Sequence, residues 1–210
     1  WCADKSAPKT SELYAAVYLG DGLRAGRLWS IDSGFGRWHY ILKNNLPAHR
    51  GARVLDLGAN NGLNSLHLLR AGARAAVAVE IDEKFIRQGL FIKEAFERHD
   101  NAIYDFRYVK ANMADVPSLD LGCFDFAMAL CSIYYLDDEA IARVIRHVSK
   151  IAGTLVLQCN LARGIGRKYD HTYEKASVEY ATASLKSNGF PRIRVIAPPG
   201  YARPLVIGEK

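Results

Sequence analysis

The sequence predicts a doubly wound α/β domain. Its sheet has seven strands, mostly parallel, with an antiparallel strand from a C-terminal hairpin and a helical cap at the N-terminus. Three observations predict this. From Arg53 onward, short apolar runs alternate with segments of helical period. The first apolar run ends in Gly58-Ala59-Asn60-Asn61-Gly62, the kind of loop that leads from a buried strand into a helix. Near the end, two apolar runs follow each other with only the Pro198-Pro199-Gly200 turn region between them, which implies a hairpin.

The elements follow in order. Residues 1–50 read as a cap or lid, with helices at Glu12–Leu19 and Trp38–Asn44 separated by the glycine-rich turn Asp32-Ser33-Gly34-Phe35-Gly36. Residues 51–210 read as the main domain. Val54-Leu55-Asp56-Leu57 is a buried strand, and Leu63, Leu66 and Leu69 line one side of the helix that Gly72 closes. Ala75–Val79 is the next strand and ends at Glu80. Phe85, Ile92 and Phe96 then fall at helical spacing within Glu83–Glu97. Phe106–Val109 and Phe124–Leu130 are further strands. Asp137 and Asp138 supply the negative charge a helix start favours, and Ile141, Val144, Ile145 and Val148 trace its buried face. Thr154–Gln158 is a strand, Tyr173–Ser187 a helix stopped by Asn188-Gly189, and Arg192–Ile196 with Pro204–Ile207 form the closing hairpin.

Composition narrows the class. A chain of 210 residues, half of them hydrophobic and 24% charged, suits one domain with its own core and excludes disordered or low-complexity sequence. No apolar run approaches the roughly 20 residues of a membrane span, and no signal peptide is visible. The four cysteines, Cys2, Cys123, Cys131 and Cys159, show no metal-ligand spacing, so reduced thiols in a cytoplasmic protein are expected and no metal is. The 28 Lys and Arg against 22 Asp and Glu leave a net charge of +6, which suits an anionic acceptor or, less directly, RNA.

Ligands of such sheets bind beyond the carboxyl ends of the strands. The glycine loop stands there, and Glu80, twenty-odd residues on, is placed to accept from ribose hydroxyls, which points to an adenosine-containing ligand. Only Gly58 fits a G-x-G-x-x-G dinucleotide pattern, and no Walker loop is present.

On these residues, with Val79-Glu80-Ile81-Asp82, Ala111-Asn112-Met113 and Phe124-Asp125, the sequence resembles the class I S-adenosylmethionine-dependent methyltransferases from about Arg53 to Gln158. The resemblance implies a Rossmann-like fold, S-adenosylmethionine as cofactor and S-adenosylhomocysteine as product. It implies that Gly58 and Gly62 line the methionine part of the cofactor, that Ala59 and Asn60 bind it from the same loop, and that Asp56 steadies the loop. Glu80 would hold the ribose, Ile81 and Met113 would flank the adenine, and Asn112 would bond its amino group. Cys131 would line the same pocket. The departure is Asn60, where the family usually has a glycine. Gln88-Gly89-Leu90-Phe91-Ile92-Lys93-Glu94 and Ile133-Tyr134-Tyr135-Leu136 are similar to a narrower group that includes tRNA wobble-uridine modifying enzymes.

The sulfonium already activates the methyl group, so the protein chiefly aligns an acceptor. A hydroxyl acceptor also wants a base, whereas an amine or carboxylate needs little more than positioning. The candidates near the transfer point are Tyr134, Tyr135 and His171. His39, Arg163, Arg167 and Arg203 are the candidates for binding the acceptor. The first expectation is a methyltransferase acting on oxygen or nitrogen of a small molecule or glycan unit. The alternatives are a tRNA wobble-uridine modifier and an S-adenosylmethionine-binding protein without transfer activity.

Overall fold

The computed structural model describes residues 13, 16–20, 23–26, 34–161 and 172–210. A small antiparallel pair, β1 (Val17–Gly20) and β2 (Leu23–Ala25), precedes a continuous helical stretch. That stretch comprises α1 (Gly34–Arg37), a π-helical segment Trp38–Leu42 and α2 (Lys43–Asn45). The main domain follows with β3 (Arg53–Leu57), α3 (Leu63–Arg70), β4 (Ala75–Glu80), α4 (Glu83–Asp100) and β5 (Phe106–Lys110). Then come β6 (Phe124–Leu130), α5 (Asp138–Ile151), β7 (Ala152–Gln158), α6 (Thr172–Lys175), α7 (Val178–Ser187), β8 (Arg192–Ile196) and β9 (Leu205–Glu209). Two 3-10 turns, Met113–Ser118 and Ile133–Tyr135, follow β5 and β6.

The seven-stranded sheet runs β5-β4-β3-β6-β7-β9-β8. Strands β3 to β7 are parallel, and β9 is antiparallel to both β7 and β8. The strand period of two sorts side chains onto two cores. Val54, Ala76, Ala78, Phe126, Met128 and Val156 face one side with Leu66, Leu69, Ile92 and Phe96 of α3 and α4. Leu55, Leu57, Val77, Val79, Ala127, Leu155 and Leu157 face the other, against Ile141, Val144, Ile145 and Val148 of α5. Among the described residues, no helix is long and apolar enough to cross a membrane.

The N-terminal expectations need correction. The end of the expected helix Glu12–Leu19 lies instead in strand β1 (Val17–Gly20), because Val17 and Tyr18 favour extended backbone and find a pairing partner in β2. The expected turn at Asp32–Gly36 is helical from Gly34, since packing of Trp38, Ile41 and Leu42 outweighs the glycines' low propensity. The late helix is two, because the Ser177 hydroxyl caps Tyr180 N at 3.1 Å and starts α7 afresh. The C-terminal hairpin supplies the antiparallel strand as expected: β9 is inserted one place in from the edge, between β7 and β8.

The N-terminal helix is pinned by an aromatic stack. Trp38 lies on the His67 ring with centroids 5.2 Å apart, and His67 meets Phe96 at 5.8 Å. Burial, with lesser contributions from Arg70 and His39, pushes the His67 pKa down to about 3. The folded state therefore keeps His67 neutral while the unfolded chain takes up a proton near pH 6.5. The stability this neutral ring carries is whole above pH 6.5 and drains as pH falls toward about 3. Between pH 7.5 and 4.5 it costs roughly 2–3 kcal/mol. His67→Phe, which stacks without titrating, is expected to lose correspondingly less over that interval in urea unfolding. Equal losses in both proteins would refute this assignment.

Candidate active site

A cleft of about 440 Å³ opens at the carboxyl ends of β3, β4 and β6. Its floor is the loop after β3, which hangs from β4 by Gly58 N and Ala59 N donating to the Val79 carbonyl at 2.9 and 3.0 Å. Gly58 has φ 67°, and a Cβ there would stand 2.6 Å from the Ser132 Cβ. The residue at 58 must therefore be glycine for both conformational and steric reasons. Asn60 has φ 54°, and its Oδ1 accepts from Asn61 N at 2.8 Å. Asparagine tolerates the left-handed region better than other L residues, so it can take a backbone conformation here that otherwise favours glycine. Asn60→Gly is expected to keep the fold and ligand affinity within about twofold. Asn60→Val, strained there, should lose about 1–3 kcal/mol in thermal unfolding.

Glu80 ties this loop to the sheet. Its Oε2 accepts from Asn60 N at 2.7 Å, while Oε1 accepts from Ile81 N and Asp82 N at 2.9 Å each. A carboxylate has about four lone-pair sites, so one direction on Oε2 is left for a ligand hydroxyl. Beneath the loop, Asp56 accepts from Ser65 Oγ at 2.7 Å. Burial pushes the Asp56 pKa up to about 7, helped by Glu80 and opposed by Ser65 and Arg37. Tyr108 Oη donates to the Asn60 carbonyl at 3.0 Å, and burial, with Asp56 and Glu80 nearby, raises its pKa far above the ordinary value, so it stays a donor.

At the other end of the cleft, Cys131 follows β6 with φ 58°. Its thiol lies 3.6 Å from Gln158 Oε1 and 3.5 Å from the Cys159 carbonyl oxygen, and receives Arg203 Nη1 at 3.3 Å. Gln158 also accepts from Arg37 Nη1 at 3.2 Å and donates to the Arg203 carbonyl at 3.1 Å. Cys123, Cys131 and Cys159 are free thiols. Among the described residues, no group of three metal-ligating side chains gathers.

Of the residues expected at the site, Asp56, Gly58, Ala59, Asn60, Glu80, Ile81, Asn112, Met113, Cys131, Tyr135 and Arg203 line this cleft. Asn112 does so with its carboxamide oxygen capping Ala114 N at 3.0 Å. Three others stand elsewhere. Gly62 turns its missing side chain toward the Phe106 ring and the Tyr108 hydroxyl, which a Cβ would meet at 2.5 and 2.7 Å. Tyr134 is buried, and its hydroxyl accepts from Asn160 Nδ2 at 3.4 Å. His39 is exposed on the π-helical segment, outside the cleft lining. His171, Arg163 and Arg167 lie outside the described residues. Sequence reasoning did not place Arg37, Asn61, Asn64, Phe85 or Ser132 in the lining. For Asn61 the signal was its own loop. Arg37 and Ser132 arrive from distant elements and carry no local pattern.

Residues 54–153 match the family model of a methyltransferase domain. No curated protein matches the chain. The bifunctional kinase-methyltransferase WbdD superposes with a TM-score of 0.59 at 17% identity, over 76% of this chain and 35% of that one. Magnesium protoporphyrin IX methyltransferase (ChlM) from Synechocystis PCC 6803, with bound SAM, gives 0.59 at 19% identity over 91% and 87%. The N-terminal domain of EvdMO1, in the presence of SAH and D-fucose, gives 0.61 at 19% over 94% and 90%. The chain spans about a third of the length of the WbdD structures it matches. With the strand order and the β3 loop already described, these likenesses show that the chain has the fold of the class I S-adenosylmethionine-dependent methyltransferases, the family-model match being confined to residues 54–153.

Proposed function

We propose that the chain is an S-adenosylmethionine-dependent methyltransferase acting on oxygen or nitrogen of a small molecule or glycan unit. One observation carries the cofactor assignment. Asn61 Nδ2, Asn64 Oδ1 and Arg37 Nε are buried polar atoms with no partner among the described residues, and all three residues line the cleft around the β3 loop. Buried polar groups are otherwise paired, so these fit a polar ligand end. At the opposite wall, Ile81 is 59% exposed beside Met113 and Phe85, an apolar surface that suits a heteroaromatic ring.

In this reading Glu80 accepts from the ribose, Ile81 and Met113 flank the adenine, and Arg37 holds the amino-acid carboxylate. The bound cofactor supplies a methyl group activated on a sulfonium. Tyr135 stands at the cleft mouth to orient the acceptor, with Tyr134 supporting it and His171 a further candidate. Residues 1–50 act as the cap, through Arg37 and the stacked Trp38, on a catalytic domain of residues 51–210. The acceptor is met by basic side chains, Arg203 among them.

Calorimetry with S-adenosylhomocysteine tests the site. Wild type is expected to bind it, and Arg37→Gln to weaken binding by about 10–100-fold, the loss of hydrogen bonds between charged groups. Unchanged affinity would remove Arg37 from the site, and no binding by wild type would remove the cofactor. Binding without methyl transfer to any acceptor pool would leave a cofactor-binding protein. The tRNA alternative has its own arm: tRNA binding that falls steeply with salt would favour it.

A further inference from the structure

The apolar end of the cleft offers a ligand few polar side chains. Of its lining residues, Ile81, Phe85, Ala111 and Met113 are apolar, and Asn112 stands among them with a carboxamide. Glu80, at the end of β4, already accepts from Asn60 N, Ile81 N and Asp82 N, and its one remaining direction serves the ribose in the reading above. Asn112 is exposed, and its backbone is held from both sides: Ala111 N donates to the Glu80 carbonyl at 3.1 Å and Asp115 N to the Asn112 carbonyl at 2.9 Å. What its side chain presents therefore bears directly on how the edge of a bound base is read.

The cap fixes which way round that side chain sits. Asn112 precedes the 3-10 turn Met113–Ser118, and its Oδ1 accepts from Ala114 N at 3.0 Å. Only the oxygen of a carboxamide can meet a backbone N–H, so the oxygen faces the turn. The NH2 group, on the other arm of the planar amide, has no partner among the described residues and is a donor only. Adenine shows a 6-amino donor beside the N1 acceptor. A 6-oxopurine shows the O6 acceptor beside an N1–H donor. A single donor is matched by N1 of the first or by O6 of the second. Telling them apart takes an acceptor facing position 6, which a 6-oxo group would leave unpaired.

Resting on the methyltransferase reading above, we propose that Asn112 meets the base edge through Nδ2 and that the cleft therefore takes a 6-oxopurine nucleoside as readily as an adenosine. The deaminated thioether S-inosylhomocysteine is then a ligand alongside S-adenosylhomocysteine. This revises the role that the sequence resemblance implies for residue 112. Accepting from the adenine amino group calls on the carboxamide oxygen, and that oxygen already serves the turn. Ile81 and Met113 discriminate no further at position 6, because the apolar surfaces that flank a purine ring touch its faces and leave its edge alone.

Calorimetry with the two thioethers, S-adenosylhomocysteine and S-inosylhomocysteine, tests this on the full chain. Wild type is expected to bind both, with dissociation constants within about threefold of each other. Asn112→Asp keeps the cap, since a carboxylate accepts from Ala114 N just as the carboxamide does, but it replaces the donor arm with an acceptor. That variant should keep its melting temperature and prefer S-adenosylhomocysteine by about tenfold or more, because its second oxygen accepts from the 6-amino group and faces O6 acceptor to acceptor. Asn112→Ser also caps but is too short to reach a base, so it should weaken both ligands alike and show no preference. A role confined to capping the turn would leave the ratio of the two affinities the same in all three proteins, and that result would overturn the proposal. So would a wild type that prefers S-adenosylhomocysteine by more than tenfold. Wild type that binds neither thioether would instead overturn the methyltransferase reading on which the proposal rests.

Discussion

Gly89→Ala is expected to cost the protein its ligand site, although alanine is the better helix former by about 1 kcal/mol. Gly89 sits in α4, where a Cβ would fall 2.0 Å from Tyr108 Oη, 2.7 Å from its Cζ and 2.8 Å from the Asn61 carbonyl oxygen. The Tyr108 hydroxyl could move only by giving up its bond to the Asn60 carbonyl. The Asn61 carbonyl is backbone, so it yields only if the β3 loop shifts. Overpacking of this kind costs about 1–3 kcal/mol, and the lost hydrogen bond about 1 kcal/mol more. The clash therefore outweighs the propensity gain. We expect a lowered melting temperature together with a more than tenfold loss of S-adenosylhomocysteine affinity by calorimetry. Adding Tyr108→Phe removes the nearest clashing atom and should recover part of the stability. An alanine variant as stable as wild type would show that the loop does not depend on this close approach.

Substitution of Glu80 is expected to act on the fold and the site together. Its three bonds satisfy the backbone amides of Asn60, Ile81 and Asp82, so Glu80→Ala strands three donors at once. Hydrogen bonds to a charged acceptor are worth about 1.5–3 kcal/mol each, and water entering the vacated space returns much of this. A net loss of roughly 3 kcal/mol is expected, with S-adenosylhomocysteine affinity down by more than 100-fold. Glu80→Gln separates the two effects. Its oxygen can still serve Ile81 and Asp82, but its amide group meets the Asn60 N–H donor to donor. It should lie between alanine and wild type in stability while losing most of the affinity for S-adenosylhomocysteine. If both variants bind the cofactor product as wild type does, Glu80 is a structural residue only.

What was legible in the sequence was local. The β3 loop, Glu80 at the end of β4 and the 112–113 turn each lie within a few residues of a strand end, and strand ends can be read from apolar period. The buried faces of α5 and of β3 to β7 were readable for the same reason. The loop's Asn60 could be noticed as a departure but not understood, because its left-handed backbone and its bond to Asn61 N are geometric facts. Arg37 and Ser132 had no such local signature. Ser132 matters because β6 lies beside β3, bringing its hydroxyl 2.6 Å from the Leu57 carbonyl and its Cβ against Gly58. Arg37 matters because a helix read only from its second half begins earlier and carries the guanidinium across to Gln158. Tyr134 and Tyr135 show how little a residue pair says by itself, since adjacent positions in one 3-10 turn face opposite environments. One is 2% exposed and the other 57%.

The inserted position of β9 has a consequence for the order in which the molecule can be made. Among the described strands β8 pairs with β9 alone, and β7 is an open edge until β9 arrives. A growing chain that has passed Ile196 but not yet reached Glu209 thus holds β8 unattached. It also presents one open edge of β7, the strand that carries Leu155, Val156 and Leu157, and such an edge recruits other chains. Arg203 enters with the last segment, so the corner of the cleft built from Cys131, Gln158 and Arg203 cannot close earlier than the sheet does. This corner of the cleft is thereby tied to the final act of sheet assembly, and a partly made chain has no finished pocket to offer.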